Sequence, residues 1–166
     1  MSITLASFTP QPIHLLMGTL SDGEAIHTAL AAVARAHHIQ AATFELLGGL
    51  TEVEFSAYDF VNQVRLRPLV FSGALEIVAG HGTISLLNGA PHVHTHLTLA
   101  FRDERAPQGI AIIGGHVARA IAFAVEFTLT VYAGTAVHRA LHPATGLQLW
   151  NLPAWVDTFN GQEGDK

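Results

Sequence analysis

PHVHTHLTLAFRDERAPQGIAIIGGHV, residues 91–117, alternates histidine with apolar or small residues, crosses a polar segment, and enters a second apolar run ending Gly-Gly-His. Successive side chains on a strand point to opposite faces, with about 6.6 Å between positions i and i+2. His92, His94 and His96 therefore share one face, and Val93, Thr95 and Leu97 share the other. RDERAPQG, 102–109, folds the chain back onto 110–113. A hairpin centred between Arg105 and Ala106 sets His116 across from Thr95, diagonal to His94 and His96 and within reach of both. A register slip of several residues would favour His92 and His94 instead. His92 and His96 lie about 13 Å apart along an extended strand, so one metal ion takes one neighbouring pair.

Three neutral imidazoles with an open fourth position form the donor set of a catalytic zinc site, which polarises a carbonyl or activates water. The expected ligands are His94, His96 and His116, with His92 as the alternative, and the expected metal is zinc. Two other readings stay open: a histidine-lined pocket without metal, or a pH-sensing subunit interface. Glu126 stands alone in AIAFAVEFTLT, 120–130, as a base, a partner orienting a ligand imidazole, or a residue at a solvated edge. Glu45 in ATFELL poses the same question with less support. Gly80-His81-Gly82 reads as a turn or bulge, with a histidine placed near a pocket as the alternative. The chain has no cysteine, which removes disulfides, thiolate ligands and thiol nucleophiles. Nucleophile-elbow, phosphate-loop and H-E-x-x-H motifs are missing.

Outward from this stretch, SDGEAIHTALAAVARAHHI, 21–39, has a capping-box pair, Ser21 and Glu24, and helical spacing of Ile26, Leu30 and Val33. His37 and His38 mark its end. Beyond residue 39 the period is two, with Gly48–Gly49 read as a turn or close backbone approach and Asn88–Gly89 as a hairpin turn. One early helix followed by many strands predicts an α+β fold dominated by antiparallel sheet. A single domain over 1–166 is expected, with a core at about 13–132 and an irregular tail, 134–166.

The composition is 49% apolar and 13% charged, which suits a chain whose surface is partly covered by further copies of itself. Eight Lys and Arg against thirteen Asp and Glu give a net charge of −5. The basic residues are scattered, which argues against a nucleic-acid partner. Arg65 and Arg67 are the one close pair and read as a solvated strand face. No segment reads as a signal peptide or membrane span, so a cytoplasmic location is the default.

The helix 21–39, IQAATFELLGGLTEVEFSAYD, ALEIVAGHGTIS, and above all HVHTHLTLAFRDE…GIAIIGGHV followed by AFAVEFTLT, resemble the plants and prokaryotes conserved (PPC) domain family over roughly 13–132. The resemblance is to its prokaryotic type without an AT-hook. It implies an α+β fold with a curved, mostly antiparallel sheet and a helix packed on it, assembled as a homotrimer. It also implies a metal, zinc, held by His94, His96 and His116, with His92 at a histidine-rich position. Plant members carry an AT-hook and bind AT-rich DNA; Arg65-Leu66-Arg67-Pro68 lacks the glycine of such a hook. The resulting expectation is a homotrimeric zinc protein that binds or acts on a small molecule. The alternative is a non-catalytic interaction module or DNA-associated regulator with structural histidines.

Overall fold

The computed structural model describes residues 12–152. Among them the chain forms β1 (Ile13–Leu20), α1 (Ile26–Ala36), β2 (Ala42–Ser56), β3 (Tyr58–Asp59), β4 (Val64–Arg65), β5 (Leu69–Leu87), β6 (Ala90–Arg102), β7 (Ile110–Tyr132), β8 (Arg139–Leu141) and β9 (Gln148–Trp150). The main sheet runs β1-β7-β2-β5-β6, and β6 pairs again with β7. That extra pairing closes β7, β2, β5 and β6 into a barrel, with β1 on the remaining edge of β7.

This corrects the expected fold class. The protein is mostly β, with 64% of the described residues in strands and 10% in helix, and the barrel is closed. It is not an α+β sheet with a helix laid on its face. The difference lies in the glycines. Gly48 does not end a strand: β2 runs through it for 15 residues. Its φ is +119°, and a Cβ there would run into the backbone of Ala124 and Val125. The bulge at this point bends β2 and raises its twist. Long strands bent in this way curl until the outer two meet.

The 23-residue β7 changes partners along its length. Its first part, Ile110–His116, pairs with β6, and from His116 onward it pairs with β2. The β6–β7 ladder stops at His96 and His116. Beyond that rung α1 packs against both β6 and β7. Ile26, Leu30 and Ala34 on one helix face are fully buried, within the same core as Leu50, Val53, Leu99 and Leu129. Burying an Ile or Leu side chain contributes about 1.5–3 kcal/mol, enough to fix so short a helix. The helix begins later than the capping-box residues suggest. Ala25 is the N-cap, and Glu24 accepts the Ser21 N–H at 2.5 Å in the preceding turn.

The Asn88–Gly89 turn is as read: both residues have positive φ, the type I′ requirement. Residues 139–150 in the expected irregular tail include the hairpin β8–β9. No helix among the described residues is long and apolar enough to cross a membrane.

Candidate metal centre

The inward side chains of β6 are Val93, Thr95, Leu97 and Leu99, all buried, which leaves His92, His94 and His96 on the outer face. The hairpin after β6 is centred on Ala106, because Arg102 pairs with Ile110. His116 consequently lies directly opposite His96, one residue from the predicted register. Directly opposed residues share a face, so the shift brings His116 onto the histidine side; opposite Thr95 it would have faced the core. His116 also pairs with Ser56 at the end of β2, where β6, β7 and β2 meet.

His94, His96 and His116 each offer a ring nitrogen, and these atoms all lie within 4.8 Å of one another. The ring centroids are 5.2 Å apart for His94–His96, 4.9 Å for His94–His116 and 5.3 Å for His96–His116. Tetrahedral zinc with nitrogen at 2.0–2.1 Å wants its donors about 3.3 Å apart. His94 Nε2 and His116 Nδ1 are already 3.1 Å apart. Small side-chain rotations bring the third into range, so the donor set fits zinc.

The electrostatics keep these rings neutral. Burial, and after it the Arg139 charge, push His94 down to about 4. Burial and then the Arg65 charge do the same for His116, also to about 4. His96 is lowered by burial and by neighbouring His81. Neutral imidazole is the ligating form.

The three rings line a cavity of about 690 Å³. Its walls are two small hairpins. β3–β4 supplies Tyr58 and Arg65, and β8–β9 supplies Arg139 and Gln148. They are clasped together: Tyr58 Oη donates to the Thr145 carbonyl at 2.8 Å, and Gln63 Nε2 donates to the Ala144 carbonyl at 2.9 Å. Arg139 donates through Nε to Ser85 Oγ (2.7 Å), through Nη1 to the Gln148 carbonyl (2.9 Å), and through Nη2 to Thr83 Oγ1 (3.2 Å) and His94 Nδ1 (3.3 Å). A guanidinium only donates, so in the metal-free protein His94 Nδ1 accepts and the His94 proton sits on Nε2, aimed at His116 Nδ1. Ligation through Nε2 requires that proton to move to Nδ1 and Arg139 to release its contact with His94. Arg65 Nη1 donates to the buried Ser56 Oγ at 2.8 Å.

His92 is on the same face but outside the convergent group, opposite Ser85 and near His27. Glu126 is not brought to the histidines. It is exposed, ten residues beyond His116 on β7, or about 33 Å along the strand. It faces Thr19 and lines a separate cavity with Glu45 and His81. Glu45 pairs with His81, and His81 pairs with His96, so Glu45 sits two strands from the site. His81 lies within β5, not in a turn, its ring stacked on His96 with centroids 6.5 Å apart. Its flanking glycines point inward, where a Cβ on Gly80 would meet Leu97 and Leu46 at 2.8–2.9 Å. Arg139 carried no signal in the sequence, and Arg65 was visible only within the Arg65/Arg67 pair.

The Plants and Prokaryotes Conserved (PCC) domain model matches residues 8–133. The chain belongs to this family. Its fold is that of a metal-containing protein from Archaeoglobus fulgidus, at 24% identity and a TM-score of 0.78, covering 88% of this chain and 99% of that one. A plant- and prokaryote-conserved protein from Pyrococcus horikoshii is similar at 22% identity and a TM-score of 0.77, covering 92% and 100%. A protein from Ralstonia eutropha described as a candidate DNA-binding protein is similar at 27% identity and 0.71, covering 82% and 90%. No curated protein matches the chain in sequence.

Proposed function

We propose that His94, His96 and His116 hold one zinc ion and that the cavity above them presents it to a small molecule. The observation that carries this reading is the convergence of three neutral imidazoles on the floor of a cavity of about 690 Å³. A bound zinc supplies Lewis acidity, suited to hydrolytic or lyase-type chemistry. The protein's own contribution is the geometry: β6 and β7 fix two ligands across one rung, His94 takes the third position, and the two hairpins form the walls beside them. The description of the Archaeoglobus neighbour as metal-containing agrees with this reading. Assembly as a homotrimer is part of the proposal. Ile13, Leu15 and Met17 on β1, with Leu47 and Phe123, leave an exposed apolar surface for other copies to cover.

The DNA-binding description of the Ralstonia neighbour is not carried over. The chain is net negative, and Arg105 and Arg119 are already paired with Asp103, Glu52 and Glu54. The test of the metal reading is elemental analysis of protein purified without chelators or a histidine tag. About one zinc per chain is expected, lost in His94→Ala and His116→Ala while assembly persists. A metal-free protein that takes up no zinc when supplied would overturn it.

A further inference from the structure

Among the described residues two guanidinium groups face this cavity and no carboxylate does. Arg65 and Arg139 line it with the three histidines, and its described lining contains no Asp or Glu. Neither arginine is in an ion pair among the described residues. Arg139 is half-buried and Arg65 stands exposed at the cavity's edge. Two positive charges on one concave wall, with no counter-charge among the described lining residues, draw an anion into it.

The two arginines are not equivalent. Arg139 makes four contacts, to Ser85, Thr83, Gln148 and His94, which hold its plane against the barrel wall. Most of its five N–H groups are taken. Among the described residues Arg65 makes one side-chain hydrogen bond, to Ser56 Oγ. Its remaining N–H groups are available, and its fork matches two carboxylate oxygens. Arg65 and His116 line the same cavity. Ser56 ties the two together: its hydroxyl holds Arg65, and its backbone pairs with His116.

We infer that Arg65 anchors the carboxylate of a small acid whose neighbouring oxygen reaches the three histidines, with Arg139 as a fixed positive wall. This rests on the metal reading for the second contact but not for the first. The ligand class is therefore a small hydroxy- or oxo-carboxylic acid that fits a cavity of about 690 Å³. A neutral molecule of the same shape leaves Arg65 without its counter-charge and binds poorly.

The experiment uses glycolate and its neutral isostere glycolamide, titrated calorimetrically into zinc-loaded wild-type protein and into Arg65→Gln. Glycolate is expected to bind about tenfold or more tightly than glycolamide, and Arg65→Gln to lose about the same factor while its zinc content holds. Equal binding of the two probes to the wild type overturns the inference without needing any variant. So does glycolate affinity in Arg65→Gln within about twofold of the wild type. Repeating the titration after chelation separates the two proposals. Glycolate binding that survives chelation and falls in Arg65→Gln upholds the anion anchor even if zinc has no place there. Zinc uptake without preference for glycolate upholds the metal reading and removes the anchor.

Discussion

Lowering the pH should destabilise the metal-free protein through His94 and His116. In an unfolded chain each titrates near 6.5, whereas in the fold both are held at about 4. Between these values the unfolded chain binds protons that the folded one refuses. Stability is therefore full above pH 6.5, falls as pH drops through that value, and stops falling near pH 4. An unscreened drop of this size is worth about 3 kcal/mol per imidazole. Both rings are only half-buried, and solvent screening reduces this to about 1–1.5 kcal/mol each. The pair should cost about 2–3 kcal/mol between pH 7.5 and 4.5. The assay is urea unfolding in chelator at fixed protein concentration, comparing wild type with His94→Gln/His116→Gln. His27, His92 and His96 are also held below their ordinary values and give both proteins some acid sensitivity. The decisive quantity is the difference between the two slopes. Parallel pH profiles would refute the assignment of the acid sensitivity to the cluster.

Two further outcomes test how the barrel supports the site. Gly82→Ala places a Cβ against the His94 carbonyl and the Phe44 ring. It should cost about 3 kcal/mol and lower zinc uptake together with stability; a thermal unfolding midpoint equal to wild type would show that β5 yields there freely. Leu99→Ala empties a fully buried core position. It should cost about 3–4 kcal/mol in urea unfolding while zinc uptake stays at the wild-type level, since Leu99 points away from the histidines; loss of zinc in the folded variant would contradict that separation.

The histidine face was legible because a period of two is a local property of residues 91–97. The off-by-one register was not, since it depends on the loop. Gln108 and Gly109 both adopt positive φ, and the turn they make centres the hairpin on Ala106. Barrel closure was illegible for a similar reason. Whether Gly48 ends a strand or bends it depends on what lies against it, and that is Ala124, 76 residues away. Arg65 and Arg139 were harder still. They reach the cavity on two hairpins clasped by Tyr58–Thr145 and Gln63–Ala144, contacts that leave no periodic mark in the sequence. Read alone, Arg65 is one of two arginines on an exposed strand, and only the empty space beside His116 gives it another meaning.

Closure of the barrel and construction of the site are one event. His96 and His116 are the last rung of the seam that joins β6 to β7. At that rung β7 acquires its second neighbour, β2, which ends there at Ser56 and turns away into β3 and β4. A sheet of uniform strands would leave no cavity at this point, because each strand would cover the next. Here one strand leaves just as the seam begins. The departing chain rises as a wall carrying Arg65, and the seam beneath it carries His96 and His116. His94 lies two residues on, where β6 has left β7 but is still held by β5 through Thr83. The three rings converge because they straddle the point where the seam opens. A change of one residue in the loop 103–109 would turn His116 toward the core and disperse them, with every strand still in place.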